Sequence, residues 1–246
     1  MSAAALKALH VPGTPLVLPN AWDADTAKAV EAAGFPVIAT SSVAVAAALG
    51  FPDGEQAPVD EMFAAAARIV KAVGVPVTVD AESGYGLSGA ELAGRLLDIG
   101  AVGLNFEDTD SATGQVRPVA VQADRIAALR EAAGDALVIN ARVDAFRGAS
   151  DPRDVLAGNV ARAKAYFAAG ADCVYPIHLQ TPDVLAEFVQ GVGGAVNAPA
   201  WPGSPGIAGL AELGVARISL GGGLWGRTRK FLADTLAEVA EGTLPY

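Results

Sequence analysis

The stretch VTVDAESGYGLSGAELAGRLLDIG, residues 77–100, contains one complete strand-and-helix unit. Its β-branched start predicts a buried strand over Val77–Ala81. A helix is predicted over Ser88–Ile99, because Ser88 is a good N-cap residue and Gly100 suits the position after the last turn. The stretch therefore predicts one βα unit of an α/β fold.

The same alternation repeats through all 246 residues. The predicted strands are Leu16–Pro19, Val37–Ser41, Val77–Ala81, Leu104–Glu107, Leu137–Arg142, Val174–His178, Val196–Ala198 and Ile218–Leu220. The predicted helices are Ala24–Ala33, Val59–Val73, Ser88–Ile99, Val121–Ala133, Asp154–Ala169, Pro182–Val189 and Leu224–Ala240. Eight strands, seven of them followed by a predicted helix, fit a (β/α)8 TIM barrel, which needs roughly 250 residues. We therefore expect one (β/α)8 barrel domain over residues 1–246; the competing doubly wound sheet needs a glycine fingerprint that Leu18–Trp22 lacks.

Composition excludes several classes of protein. With 17 Lys+Arg against 27 Asp+Glu, the net charge is −10, which argues against binding to nucleic acid. The single cysteine, Cys173, excludes an internal disulfide framework. The uncharged stretches Ala32–Pro52 and Gly193–Ala211 are broken by glycine and proline, so no membrane span is predicted. Residues 1–9 lack a signal-peptide apolar run, and we expect a soluble cytoplasmic protein.

Polar residues gather where the predicted strands end. They are Asn20, Asp23, Ser41, Ser42, Asp80, Glu82, Glu107, Asp108, Arg142, Asp144 and His178. In a barrel these ends meet at one mouth, where the chemistry of such folds occurs. Buried carboxylates need a counter-charge, and a nearly all-oxygen ligand set favours Mg²⁺, Mn²⁺ or Ca²⁺ over Zn²⁺. The residues alone therefore predict a cation site at the mouth.

Each of these residues also has a structural interpretation. Asp80 or Glu107 could cap the helix that follows its strand, and Arg142 could pair with Asp144 or Glu107. His178 could be a core histidine with satisfied hydrogen bonds, and Cys173 is expected to serve packing. The run Gly221–Gly223 is compatible with phosphate binding at a helix N-terminus and equally with tight packing.

Six short motifs resemble the isocitrate lyase/phosphoenolpyruvate mutase superfamily. They are SSV at 41–43, LGFPD at 49–53, VDAESGYG at 79–86, NFED at 105–108, NARVDAF at 140–146 and YPIH at 175–178. The resemblance covers about Leu16–Phe231 and implies a TIM barrel of that superfamily's type. It also implies a metal-assisted lyase or mutase that acts on a 2-oxo or 2-hydroxy acid through an enolate-like species.

The resemblance assigns roles to individual residues. Asp80 matches the direct ligand of a Mg²⁺ ion, with Mn²⁺ as the alternative, and Asp53, Glu82 and Glu107 match acids that hold the ion mainly through water. Glu82 is expected to project as Asp80 does if the strand continues through it. The substrate-binding set it implies is the Ser41 hydroxyl, the backbone N–H groups of Ser42 and Val43, Arg142 and His178. Arg142, His178 and Glu107 are the expected catalytic residues, and relatives suggest a homo-oligomer, either dimer or tetramer.

One segment departs from the family pattern. Isocitrate and methylisocitrate lyases follow the Glu-Asp strand end with a K-K-C-G-H loop, whereas here Asp108 is followed by TDSATGQVRP at 109–118. That segment is short and has no cysteine, lysine pair or histidine, so the catalytic acid of those lyases is missing. The sequence indicates a relative of those enzymes in a subgroup without the K-K-C-G-H loop, and their particular activity is not the one that we expect.

Three functions are therefore compatible with the sequence. The first is Mg²⁺-dependent carbon–carbon cleavage of a small oxo or hydroxy dicarboxylic acid, of the oxaloacetate decarboxylase kind, because water can protonate the enolate formed when carbon dioxide leaves. The second is P–C bond chemistry, as in phosphoenolpyruvate mutase or phosphonopyruvate hydrolase, for which Arg117 is the only basic candidate in the loop. The third is a barrel that binds a metal and an organic acid without turnover.

Overall fold

The computed structural model describes residues 2–245. Its parallel strands are β1 (Leu16–Leu18), β2 (Asn20–Ala21), β3 (Ile38–Thr40), β4 (Val77–Asp80), β5 (Gly103–Glu107), β6 (Val138–Arg142), β7 (Cys173–Tyr175), β8 (Asn197–Pro199) and β9 (Arg217–Ser219). The helices are α1 (Ala3–Ala8), α2 (Ala24–Ala32), α3 (Ser42–Leu49), α4 (Val59–Ala72), α5 (Gly89–Asp98), α6 (Val119–Ala133), α7 (Pro152–Ala168), α8 (Pro182–Val192), α9 (Gly206–Glu212) and α10 (Gly223–Ala240), with a 3₁₀ turn at Gly134–Ala136.

The strands close into a (β/α)8 barrel. One run of neighbours is β2-β3-β4-β5-β6-β7 and the other is β1-β9-β8. Only Pro19 separates β1 from β2, so these two form one bent strand that joins both runs. A parallel bridge from Val174 to Val196 connects β7 to the start of β8. The predicted fold class is confirmed.

Three helices, α1, α3 and α9, are absent from the sequence prediction. Helix α3 was missed because its buried residues are small and it has no polar face, so it shows no helical periodicity. The predicted strand Val174–His178 is wrong at its end. The N–H of Ile177 donates to the carbonyl of Tyr175 at 2.9 Å, and this turn stops the strand.

Local signals explain the helices that were predicted. Helix α5 begins with a capping box, in which the Ser88 hydroxyl accepts from the Glu91 N–H and the Glu91 carboxylate accepts from the Ser88 N–H. Its Leu92 and Leu96 side chains are buried in the main core between the helices and the sheet. Helix α7 begins with Pro152 after the N-cap Asp151. Capping residues therefore mark where α5 and α7 begin, and the buried leucines of α5 dock that helix on the barrel.

Helix α1 covers the end of the barrel opposite the strand carboxyl ends. Its Leu6 side chain is fully buried. At Gly103 a Cβ atom would lie 3.1 Å from Leu6 Cδ2 and 2.9 Å from the Val138 carbonyl, so only glycine permits this close approach. The floor of the barrel is thus filled, which leaves the mouth as the open end.

Helix α10 differs from the others because none of its described residues is buried. Phe231 and Leu236 on this helix are 72% and 57% exposed. None of the helices within residues 2–245 combines the length and the apolar character that crossing a bilayer requires.

Candidate metal and organic-acid site

Three predicted site residues end adjacent strands at the barrel mouth. Asp80 ends β4, Glu107 ends β5 and Arg142 ends β6. Glu107 and Arg142 are paired in the strand register, and Asp80 pairs with Asn105, two residues before Glu107. Side chains two residues apart on a strand project to the same side, so Asp80, Glu107 and Arg142 share the interior of the mouth.

Asp80 offers one carboxylate oxygen without a partner. Its N–H donates to the Thr40 hydroxyl at 2.9 Å, and its Oδ2 accepts from the Ser42 N–H at 3.1 Å. Its Oδ1 is buried and has no hydrogen-bond partner among the described residues. Leaving such an oxygen unpaired is costly, and a cation would supply the missing partner. The donor set at Asp80 therefore fits a metal ion.

Glu82 lies close to Asp80 but not through a continued strand. The strand ends at Asp80, and Glu82 has a φ of 47°, so the expectation of an extended backbone is wrong. Its Oε2 accepts from the Glu55 N–H at 2.7 Å, and its Oε1 accepts from the Tyr85 hydroxyl at 2.8 Å. Burial, followed by the charge of Asp80, raises the pKa of Glu82 to about 7.

Asp53 lies on the loop between α3 and α4, at the edge of the same cluster. Partial burial of its carboxyl and the nearby charge of Asp80 raise the pKa of Asp53. Within residues 2–245, no three histidine, cysteine, aspartate or glutamate side chains are close enough together to ligate one ion directly. One inner ligand with other acids farther away suits a hydrated Mg²⁺ ion better than a Zn²⁺ ion, which needs several direct ligands.

Arg142 is held between two carboxylates. Its Nε and Nη2 donate to the two oxygens of Asp144 at 2.7 and 2.8 Å, and its Nη2 also pairs with Glu107. Burial opposes its charge, but Asp144 and Glu107 outweigh burial and raise the pKa of Arg142. For Glu107 burial acts in the other direction and raises the pKa of the carboxyl group, although Arg142 opposes that shift. Arg142 thus makes both of the pairings considered in its structural interpretation.

Asp108 supports this arrangement from behind. Its Oδ1 accepts from the Asp144 N–H at 2.9 Å. Its Oδ2 accepts from the Tyr166 hydroxyl at 2.8 Å and from Arg162 at 3.1 Å. Asp108 and Asp144 are fully buried, so Asp108 fixes the backbone that carries the partner of Arg142.

Ser41, Ser42 and Val43 begin helix α3 beside Asp80. Ser41 is the N-cap residue, yet its hydroxyl does not bond to the helix, so that hydroxyl is not used in capping. The Ser42 N–H is already donated to Asp80, whereas Val43 is 39% exposed. A Cβ at Gly222 would lie 3.0 Å from Val43 Cγ1, which favours tight packing for the glycine run.

His178 lies at the rim rather than in a strand. It occupies the turn after β7, is exposed, and its Nε2 accepts from the Arg147 Nε–H at 3.2 Å. This bond assigns the ring proton to Nδ1. Neighbouring protein atoms shield the ring from part of the solvent and lower the pKa of His178, with Asp144 opposing and Arg147 reinforcing the shift, which favours the neutral ring.

The segment 109–118 folds back on itself. Thr109 and Val116 form an antiparallel bridge, and Arg117 donates to the Thr109 carbonyl at 2.6 Å and pairs with Asp110 at 3.2 Å. The Ser111 hydroxyl donates to the Glu55 carboxylate. The segment is therefore a compact turn that contacts the loop before α4.

The sequence did not predict a role in this region for four residues, which are Glu55, Tyr85, Arg147 and Arg217. Arg217 is fully buried inside the barrel, where its Nη2 donates to Asn105 Oδ1 at 3.1 Å and its Nε and Nη1 have no partner in the described chain. A charged residue at the start of an apolar strand was the available signal. Glu55 and Arg147 had no such signal, because a charged residue in a loop is ordinarily solvated.

Comparison with known proteins gives one consistent result. The family model described as phosphoenolpyruvate phosphomutase matches residues 6–240. An uncharacterized protein of Mycobacterium tuberculosis (strain H37Rv) is 36% identical over 97% of this chain and 92% of its own. The phosphoenolpyruvate phosphomutase of Streptomyces hygroscopicus is 32% identical over 85% of this chain and 70% of its own. The oxaloacetate decarboxylase of Rhodopseudomonas palustris (strain HaA2) is 30% identical over 82% of this chain and 70% of its own.

Solved structures agree with these relatives. The crystal structure of a candidate phosphonomutase from Burkholderia cenocepacia J2315 superposes with a TM-score of 0.91 at 42% identity, covering 96% of this chain and 99% of that one. Phosphonopyruvate hydrolase, solved as a complex with oxalate and Mg²⁺, has the same fold. Its TM-score is 0.85 at 24% identity, and the superposition covers 98% of this chain and 88% of that one.

Proposed function

The chain belongs to the phosphoenolpyruvate mutase family, within the isocitrate lyase/phosphoenolpyruvate mutase superfamily, and on this premise we propose that it is a Mg²⁺-dependent carbon–carbon lyase. The substrate we propose is a small 2-oxo or 2-hydroxy dicarboxylic acid, cleaved through an enolate-like species as in oxaloacetate decarboxylation. The observation that carries the proposal is the buried Oδ1 of Asp80, which has no hydrogen-bond partner within residues 2–245 and lies beside Glu107 and Arg142.

Asp80 would hold the Mg²⁺ ion directly in this proposal, with Mn²⁺ as the alternative. Asp53, Glu82 and Glu107 would hold it mainly through water, in keeping with the octahedral, hydrated coordination that Mg²⁺ prefers. When bound, the ion supplies Lewis-acid withdrawal of charge from the bond that breaks.

The remaining roles fall to residues of the chain itself. Arg142 would neutralise the substrate carboxylate, and its fork to Asp144 keeps the guanidinium in one orientation for that task. The Ser41 hydroxyl and the Val43 N–H would bind the same carboxylate, while the Ser42 N–H, expected from the sequence to join them, already donates to Asp80 and would hold that ligand instead. His178, neutral and with its proton on Nδ1, would orient the substrate from the rim.

P–C bond chemistry is the second candidate, and the names of several relatives favour it. A phosphoryl group needs basic groups around its oxygens. Arg117, the basic residue of the 109–118 segment, is instead engaged by the Thr109 carbonyl and Asp110. This engagement is our reason for ranking carbon–carbon cleavage first.

The test is turnover of a panel of 2-oxo and 2-hydroxy mono- and dicarboxylic acids, with Mg²⁺ or with chelator. Free Mg²⁺ without protein and the Asp80→Asn variant are the controls, because oxo acids also decarboxylate without enzyme. We expect Mg²⁺-dependent release of the cleaved product that Asp80→Asn abolishes. Phosphonopyruvate and phosphoenolpyruvate, followed by phosphorus NMR, test the second candidate. If the protein binds Mg²⁺ and oxalate but turns over none of these substrates, the third function, a barrel that binds a metal and an organic acid without catalysis, is the one supported.

We also propose how the molecule is organised in the cell. Residues 1–246 would form a single catalytic domain, located in the cytoplasm. The exposed apolar residues of α10 favour a homo-oligomer, either dimer or tetramer, because large apolar groups on one helix rarely remain in water. A small carboxylic acid is the expected partner, and neither nucleic acid nor membrane is.

A further inference from the structure

Three residues of the mouth share an uncommon backbone conformation. Among the described residues, Glu55, Glu82 and Tyr85 are the only non-glycine positions with positive φ, at 59°, 47° and 55°. Such conformations persist only where the surrounding structure holds them, and they concentrate at functional sites. Here all three belong to one hydrogen-bonded cluster, which links the strain to the candidate metal site.

Glu55 is the centre of that cluster. Its N–H donates to Glu82 Oε2 at 2.7 Å. Its Oε1 accepts from the Ser83 hydroxyl at 2.8 Å and from the Tyr85 N–H at 2.7 Å, and its Oε2 accepts from the Ser111 hydroxyl. One residue therefore joins three loops at the mouth, those after α3, β4 and β5.

These bonds control the carboxylate of Glu82. Each Glu82 oxygen accepts one hydrogen bond, from the Glu55 N–H and from the Tyr85 hydroxyl. The first donor is aimed by the φ of Glu55. The second is carried by a residue whose backbone N–H is bound to the Glu55 carboxylate. Glu55 consequently sets both donors, the first through its own backbone N–H and the second through its carboxylate.

We propose that Glu55 is a positioning residue of the metal site, which orients the Glu82 carboxylate toward the water shell of the ion and ties the 109–118 segment to it through Ser111. This inference rests on the proposed function. Partners that orient the ligands of a metal typically change its affinity 10- to 100-fold when they are removed. Glu55 would act in that way without touching metal or substrate.

Two variants separate positioning from a purely structural role. Glu55→Gln keeps the shape but removes the charge that accepts three donors. Glu55→Gly removes the carboxylate and relieves the positive φ, so the fold is retained while the cluster is lost. Glu61→Gln is the matched control, because Glu61 is exposed at the start of the adjacent helix α4 and undergoes the same chemical change.

The experiment is calorimetric titration of Mg²⁺ into chelator-treated protein, together with thermal unfolding. We expect Glu55→Gln and Glu55→Gly to bind Mg²⁺ about 10- to 100-fold more weakly than wild type. The melting temperature of Glu55→Gly should not fall, and Glu61→Gln should match wild type in both measurements. Hydrogen exchange provides a readout without metal. The amides of residues 81–88 and 109–118 should exchange faster in Glu55→Gly than in wild type. In Glu61→Gln their exchange rates should equal those of wild type.

The possible failures are distinguishable. If wild type binds Mg²⁺ and both Glu55 variants bind it within twofold of wild type, the positioning role is overturned and the proposed function stands. If wild type itself binds no Mg²⁺, the proposed function is wrong, and the positioning role, which depends on it, is wrong as well. Equal weakening in Glu61→Gln would show a general charge effect and would also overturn the proposal.

Discussion

Asp80 is the residue whose geometry demands a partner, since one of its buried oxygens has none among the described residues. We predict that it binds Mg²⁺ directly at about 2.0–2.1 Å. Asp80→Asn should keep the fold, because the shape is retained, but should lower Mg²⁺ affinity steeply and abolish turnover. Glu82→Gln should only weaken binding, because its oxygens already accept bonds from the protein. Calorimetry on both variants tests this, and equal affinity in wild type and Asp80→Asn would refute the assignment.

The two histidines make a second prediction at the residue scale. The pKa of His10 is lowered to about 4, mainly by burial, and that of His178 is also lowered, by partial burial and by Arg147. A proton NMR titration needs to resolve only these two rings. We expect His178 to titrate below 6.5 and Arg147→Gln to raise its pKa, because a nearby cation is removed. An unchanged His178 pKa in Arg147→Gln would show that their hydrogen bond does not persist in solution.

Among the elements, the 109–118 segment is short and internally bonded. Asp110 accepts from the N–H groups of Ala112 and Thr113, and the Ser111 hydroxyl donates to Glu55, so Asp110 and Ser111 are already engaged within the protein. Alanine at Asp110, Ser111 and Thr113 together should therefore reduce kcat by no more than about tenfold at saturating Mg²⁺. A general acid contributes 10²- to 10⁴-fold. A loss of that size would identify a proton donor in the segment.

Helix α10 presents the apolar residues Phe231, Leu232 and Leu236 to solvent. Exposed apolar groups on one helix commonly mark an interface between subunits. We predict that the protein sediments as a dimer or tetramer, and that Phe231→Glu combined with Leu236→Glu shifts it toward monomer. Glu238→Gln, on the same helix, should leave the mass unchanged. A monomeric wild type in analytical ultracentrifugation would contradict this prediction.

For the whole molecule, the buried acids make stability depend on pH. The pKa of Glu82 is raised from 4.5 to about 7 and that of Glu107 is raised as well, both chiefly by burial, so the folded state retains protons that the unfolded state has lost. Their contribution to stability therefore decreases as pH rises through the folded pKa. The lowered pKa of His10 acts oppositely, but only below its ordinary value of 6.5.

The chelator-treated protein should consequently have a lower melting temperature at pH 8 than at pH 6.5. Added Mg²⁺ should raise the melting temperature more at pH 8, because metal binding requires ionised ligands. Differential scanning calorimetry at both pH values, with Asp80→Asn as the control without a direct ligand, measures this. A melting temperature that rises with pH in the metal-free protein would contradict the burial of the two acids.

Much of the architecture could be predicted from the sequence. The predicted helix Val59–Val73 is observed as Val59–Ala72, and the predicted strand Leu137–Arg142 as Val138–Arg142. Asp80, Glu107 and Arg142 were placed at strand ends because short runs rich in apolar residues stop near them. His178 was placed wrongly in the strand, because a backbone turn around Ile177 ends β7 at Tyr175, and Pro176 was the sequence signal for that end.

The sequence by itself determined the order of strands and helices, because hydrophobic periodicity, capping residues and glycine act over a few neighbouring positions. Only the tertiary structure decided which polar residues meet. Glu55 bonds to Glu82 across 27 positions and to Ser111 across 56, and Arg217 reaches Asn105 across 112. Such contacts depend on strand register and on closure of the barrel, and these are set by packing of the whole chain rather than by any local stretch.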